Sequence, residues 1–77
     1  MLNQKYSEEK AVLSEARKRL GLTQQQVADK ANITLRQYQK FEGGERKLSS
    51  SSFWIARDVL EALELDLTAF ARGEYTM

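Results

Sequence analysis

Two threonines eleven residues apart, Thr23 and Thr34, are each followed three positions later by a glutamine, Gln26 and Gln37. In such a capping box the hydroxyl takes the N–H three residues on, and the glutamine side chain returns to the threonine's own N–H. Each pair therefore marks the start of a helix. Leu22 and Val27 bracket the first box, and Ile33 and Tyr38 the second, at the spacing of a hydrophobic staple. The first helix so defined ends near Asn32. The second runs to Phe41 or Glu42 and stops at Gly43-Gly44. A turn of about three residues joins them, which is the layout of a helix-turn-helix over residues 23–43.

The flanks read as helices too. Leu13, Ala16, Arg17 and Leu20 recur at helical spacing with Val12 beside them, predicting a helix over about residues 8–20 with Ser7 as its N-cap and Gly21 as its stop. After the basic loop of residues 44–52, one of the last serines caps a helix over about residues 53–64. Phe53, Ala56, Val59, Leu60 and Leu63 form its inward face. Asp66 caps a short fifth helix, with Leu65 and Phe70 as its staple and Gly73 as its end. No proline interrupts the chain and no segment alternates with period two. An all-α fold of five helices is expected, with residues 1–77 forming one domain.

Composition narrows the function. Cysteine and histidine are both absent, which removes disulfides, thiolate chemistry, zinc sites built on Cys or His, and every mechanism with imidazole as the base. An enzyme is not expected, and neither is a metal or cofactor. The uncharged stretch before Arg57 is short and holds four serines, so no membrane span is expected. The opening MLNQKYSEEK has no apolar run of the kind a signal peptide needs, and a cytoplasmic location is expected. The net charge of +1 hides a division. Residues 30–50 carry Lys30, Arg36, Lys40, Arg46 and Lys47 against Glu42 and Glu45, whereas residues 51–77 carry two arginines against five carboxylates. A basic middle and an acidic tail suit a protein that turns one face to a polyanion, although a mixed solvated surface gives the same counts.

At about 100° per residue, Tyr38 and Phe41 define the buried side of the third helix. Arg36 and Lys40 then fall opposite, with Gln37 and Gln39 on the flanks. Held by its neighbours, that face can enter a major groove. Arg36 can fork onto guanine O6 and N7, Gln37 can pair with adenine, and Lys40 can reach a base or a phosphate; the same residues would also suit an ordinary solvated helix. Leu35 is either the edge of the core or an apolar contact to a thymine methyl. Thr34, as N-cap, is mainly structural but sits where a phosphate would pass. Gln24 opens the second helix, whose first N–H groups lack partners and attract a phosphate. Arg46 and Lys47 follow the third helix and suit phosphate contacts. Arg17 lies in an apolar stripe and Glu42 beside Phe41, so the two charges are expected to pair with each other. Trp54 falls on the polar side of the fourth helix, either as part of an interface or covered by residues 1–6.

The pattern Leu22-Thr23-Gln24-x-x-Val27-Ala28-x-x-Ala31-x-Ile33-Thr34-x-x-x-Tyr38-x-x-Phe41-Glu42-x-Gly44 resembles the phage-repressor, or Cro-type (XRE, lambda repressor-like), helix-turn-helix family. The stretch Ala62-Leu63-Glu64-Leu65-Asp66-Leu67-x-x-Phe70 is similar to that family's fourth-to-fifth helix segment, so the resemblance runs from Leu13 to Phe70. Two departures stand out: the loop after the third helix lacks proline and is longer than usual, and Asn32 replaces the more common glycine. The resemblance implies a five-helix lambda repressor-like DNA-binding domain. It implies that Gln24 anchors to the DNA backbone and braces the recognition helix, that Leu35 faces DNA, and that Arg17 and Glu42 form a bridge.

The function expected is a sequence-specific transcriptional regulator, a repressor that binds a palindromic operator in double-stranded DNA as a homodimer. Helices four and five and the tail would form the dimer, because Trp54, Ile55, Leu67 and Tyr75 lack an obvious interior place. The alternative is an antitoxin-like module whose acidic C-terminal third holds a partner protein such as a basic toxin.

Overall fold

The computed structural model describes residues 8–75. Its helices are α1 (Glu9–Leu20), α2 (Gln24–Ala31), α3 (Leu35–Glu42), α4 (Phe53–Ala62) and α5 (Leu67–Ala71), with a 3-10 turn at Leu48–Ser50. Both capping boxes form. Thr23 accepts from the Gln26 N–H at 3.0 Å and its own N–H donates to Gln26 Oε1 at 2.8 Å. Thr34 and Gln37 repeat the exchange at 3.0 and 2.9 Å. Ser52 caps α4 and Asp66 caps α5, each accepting the N–H three residues on. Only α1 starts differently: Glu8 precedes it without a side-chain cap, and the expected cap Ser7 lies outside the described residues.

Four of the five helices stop in the same way. The residue after the stop donates back to a carbonyl five positions earlier, in Leu22→Arg17, Ile33→Ala28, Leu65→Leu60 and Glu74→Ala69, while the chain passes through positive φ at Gly21, Asn32, Glu64 and Gly73. This is the Schellman motif, which satisfies the orphan carbonyls of the last turn. At Glu64 the motif ends α4 two residues earlier than the sequence periodicity suggests. It does so to bury Leu65 beside Leu60. At the end of α3, Gly44 takes φ +86°, and a Cβ there would lie 2.8 Å from the Lys10 stem.

Leu13, Ala16, Val27, Ala28, Tyr38, Phe41, Val59, Leu60 and Leu63 meet in one core, over which Val12, Leu22, Ile33, Ile55, Ala56, Leu67 and Phe70 pack part-buried. The α2 helix lies against α3 and α4, α1 against α3, and α5 against α4. Two expectations change. Phe53, expected inward, is 56% exposed: it occupies the first turn of α4, whose buried residues Val59, Leu60 and Ala62 all lie in its second half. Leu48, read as part of a loop, is fully buried, and the 3-10 turn is the shape the loop takes to insert it. The same turn brings Ser50–Ser52 into one groove with Gln37, Lys40 and Phe41 of α3.

Candidate nucleic-acid interface

A buried ion pair sits at the α1–α2–α3 junction. Arg17 grips Glu42 with both arms, Nε to Oε2 at 2.8 Å and Nη2 to Oε1 at 2.9 Å, while Nη1 donates to the Leu22 carbonyl at 3.0 Å. The two side chains are 17% and 7% exposed. Tyr38 donates its hydroxyl to Glu42 Oε2 at 2.6 Å, and Gln24 its amide to Oε1 at 2.7 Å. Burial pushes the Glu42 carboxyl up, but the hydrogen bonds from Arg17, Tyr38 and Gln24, with the Arg17 charge, outweigh it and hold Glu42 below the ordinary glutamate range. Burial, and then the neighbouring carboxylate, raise the Tyr38 phenol far above its ordinary value. The network ties the first residue of α2 to the last of α3. The shared carboxylate fixes the orientation of the two helices relative to each other.

Above this anchor, α3 turns Arg36 and Gln39 to solvent, with Lys40 half-buried at its base. Arg36, Gln39 and Lys40 line one shallow groove with Gly43 and Glu45. Lys40 also lines a second groove of about 400 Å3, shared with Gln37, Arg46 and Ser50–Ser52 at the start of α4. Arg46 continues into a third, which it shares with Lys47. Arg36, Lys40, Arg46 and Lys47 thus form one chain of neighbouring cations, and among the described residues none of the four makes an ion pair. Their charge is available to a polyanion.

Of the eight residues expected at the interface, the structure groups five directly: Arg36, Gln37, Lys40, Arg46 and Lys47 line these connected grooves. Gln24 joins them through Gln39, whose amide Nε2 donates to Gln24 Oε1 at 3.3 Å. Thr34 is exposed and bonded to Gln37, whose carbonyl serves the cap. Leu35 is half-buried and stands apart from the hydrophobics packed on the core. The sequence does not place the serines Ser50–Ser52 beside α3. A capping role for one of them is legible, but the fold of the loop depends on the burial of Leu48, which nothing in a basic, serine-rich segment signals.

The leftover apolar surface is also rearranged. Ile55 and Leu67 pack against the core, and the Tyr75 hydroxyl accepts the Asp66 N–H at 2.9 Å. Tyr75 stays 37% exposed, and the most exposed large apolar side chains are Phe53 and Trp54, edge-on at 5.2 Å and 56% and 62% exposed, with Arg57 over the indole at 5.1 Å. Residues 1–6, the segment considered as a cover for Trp54, lie outside the described residues.

A chain that is all-helical over the described residues, with its second and third helices joined by a three-residue turn and locked by a buried pair, is a helix-turn-helix protein. A family model described as a helix-turn-helix domain matches residues 11–76, and the chain belongs to that family. No curated protein and no solved structure matches it. Among the described residues, no helix is long and apolar enough to cross a membrane.

Proposed function

We propose that this protein is a sequence-specific transcriptional repressor of the Cro type, which binds a palindromic operator as a homodimer and acts in the cytoplasm as a non-catalytic module, with residues 1–77 forming one DNA-binding domain. The observation that carries the reading is the unpaired cationic chain Arg36–Lys40–Arg46–Lys47 on connected grooves along α3 and the loop that follows it. In this reading α3 enters the major groove. Arg36 reads guanine, Lys40 reaches a base or phosphate, and Leu35 meets a thymine methyl. Arg46, Lys47, Thr34 and Gln24 hold the phosphates and set the register. A single module of this size buries little DNA surface, which favours two copies on two half-sites.

The direct test is selection of bound duplexes from random DNA. The expected product is an inverted repeat with half-site centres about 34 Å, or one helical turn, apart. Enrichment of a single, unrepeated site would remove the homodimer from the reading, and no enrichment would remove sequence-specific binding.

A further inference from the structure

Glu42 fixes more than the fit of two helices. A carboxylate can only accept hydrogen bonds, and Glu42 takes four: two from Arg17, one from Tyr38 and one from Gln24. Gln24 must therefore turn its NH2 toward Glu42, which leaves its carbonyl to face α3. Gln39 meets that carbonyl with its own NH2. The polarity set by the buried carboxylate is handed along two amides to the surface. Its result is that Gln39 Oε1 and one amide hydrogen remain unused, and in a defined sense.

Gln37 is committed the other way. Its Oε1 accepts from the Thr34 N–H at 2.9 Å and the Thr34 hydroxyl at 3.3 Å, so it has only N–H groups to offer and cannot make the adenine pair expected of it from the sequence. Arg36 and Lys40 are donors by nature. Among these four α3 side chains, Gln39 alone holds an uncommitted acceptor. Donors can read guanine O6 and N7 or thymine O4, but they cannot demand an exocyclic amine.

We propose that Gln39 is a specificity-determining residue that reads adenine, its Oε1 accepting from N6 and its remaining Nε2–H donating to N7, with Gln24 as the positioning residue that holds the amide in this sense. The proposal rests on the DNA-binding reading above and adds a base and a residue to it. A donor and an acceptor side by side match the major-groove edge of adenine and of no other base. Gln24 acts here through Gln39, in addition to any phosphate it holds.

The test is duplex selection from a randomised pool with the wild-type chain, Gln39→Ala and Gln24→Met. Gln39→Ala is expected to lose discrimination at one A·T pair in each half-site, by about 5- to 100-fold, with the other positions unchanged. Gln24→Met, which keeps the side-chain length and removes the amide, is expected to relax that same pair. In the duplex selected by the wild type, 7-deazaadenine at that position should weaken the wild type and leave Gln39→Ala unaffected. If the wild type selects a site and Gln39→Ala selects it with every position intact, the proposal is overturned while DNA binding stands. The proposal also falls if Gln24→Met lowers affinity uniformly without relaxing the A·T pair. Failure of the wild type to enrich any sequence would overturn the DNA-binding reading and the proposal together.

Discussion

Removing one partner of a buried pair costs more than the pair contributes, because the other charge stays behind in a place that cannot solvate it. Glu42 is the sharpest instance, since three residues would lose their acceptor at once. Glu42→Ala is expected to destabilise the fold by about 3–5 kcal/mol in chemical denaturation. Replacing Arg17 by Met and Glu42 by Leu should recover much of this, and adding Tyr38→Phe should recover more, since the phenol hydroxyl would otherwise be buried without a partner. A Glu42→Ala melting temperature equal to wild type would refute the arrangement. The pH dependence follows from the depressed Glu42 pKa. Its contribution is complete above the unfolded value of about 4.3 and is lost as pH falls through the lower folded value. The stability gap between wild type and Glu42→Gln should therefore be flat near neutrality and close only in acid. The Arg17–Glu42 pair is legible in sequence because two opposite charges occupy positions that the helical period reserves for apolar residues. The hydrogen bonds from Tyr38 and Gln24 are not, because a buried tyrosine or a first-turn glutamine breaks no pattern.

Helix starts are written locally and helix stops less so. All four expected side-chain caps from Thr23 onward form as the sequence implies, because a cap needs only a hydroxyl or carboxylate and an N–H three residues on. The stops at Gly21, Asn32 and Gly73 are equally plain, as these residues accept positive φ. The stop at Glu64 breaks that rule, since it is imposed by the burial of Leu65 rather than by the residue that bends. Glu64→Gly should relieve the left-handed strain and, after the extra chain entropy of glycine, raise stability by about 0.5–1 kcal/mol, read as a higher melting temperature. A lower melting temperature would mean that Glu64 does not hold that conformation. The start of α4 shows the complementary limit. Periodicity places Phe53 inward, yet a first-turn residue faces the core only if the core extends that far.

At the scale of the whole molecule, the interface depends on which surface each loop covers, and the burial of Leu48 settles this for the serine loop. The exposed Phe53–Trp54 pair lies on the turn of α4 that follows the capping Ser52, itself part of the groove with Lys40 and Arg46. This pair is the candidate contact between copies in the homodimer proposed above. Wild type should sediment as a dimer, and the double change of Phe53 and Trp54 to Asp should give a folded monomer with weakened operator binding. A wild-type monomer at high micromolar concentration, with Trp54 fully quenched by iodide, would contradict this. In the proposed complex the outer face of α3 reads sequence while the loop beyond it holds phosphates. Affinities of Arg36→Ala and Lys47→Ala for the selected duplex and for a scrambled one, across a salt series, separate the two roles. Arg36→Ala is expected to weaken only the selected duplex, by about 1–3 kcal/mol, and Lys47→Ala to weaken both and reduce the salt slope by about one. If Arg36→Ala bound the selected duplex as tightly as wild type, the outer face of α3 would not be the reading face.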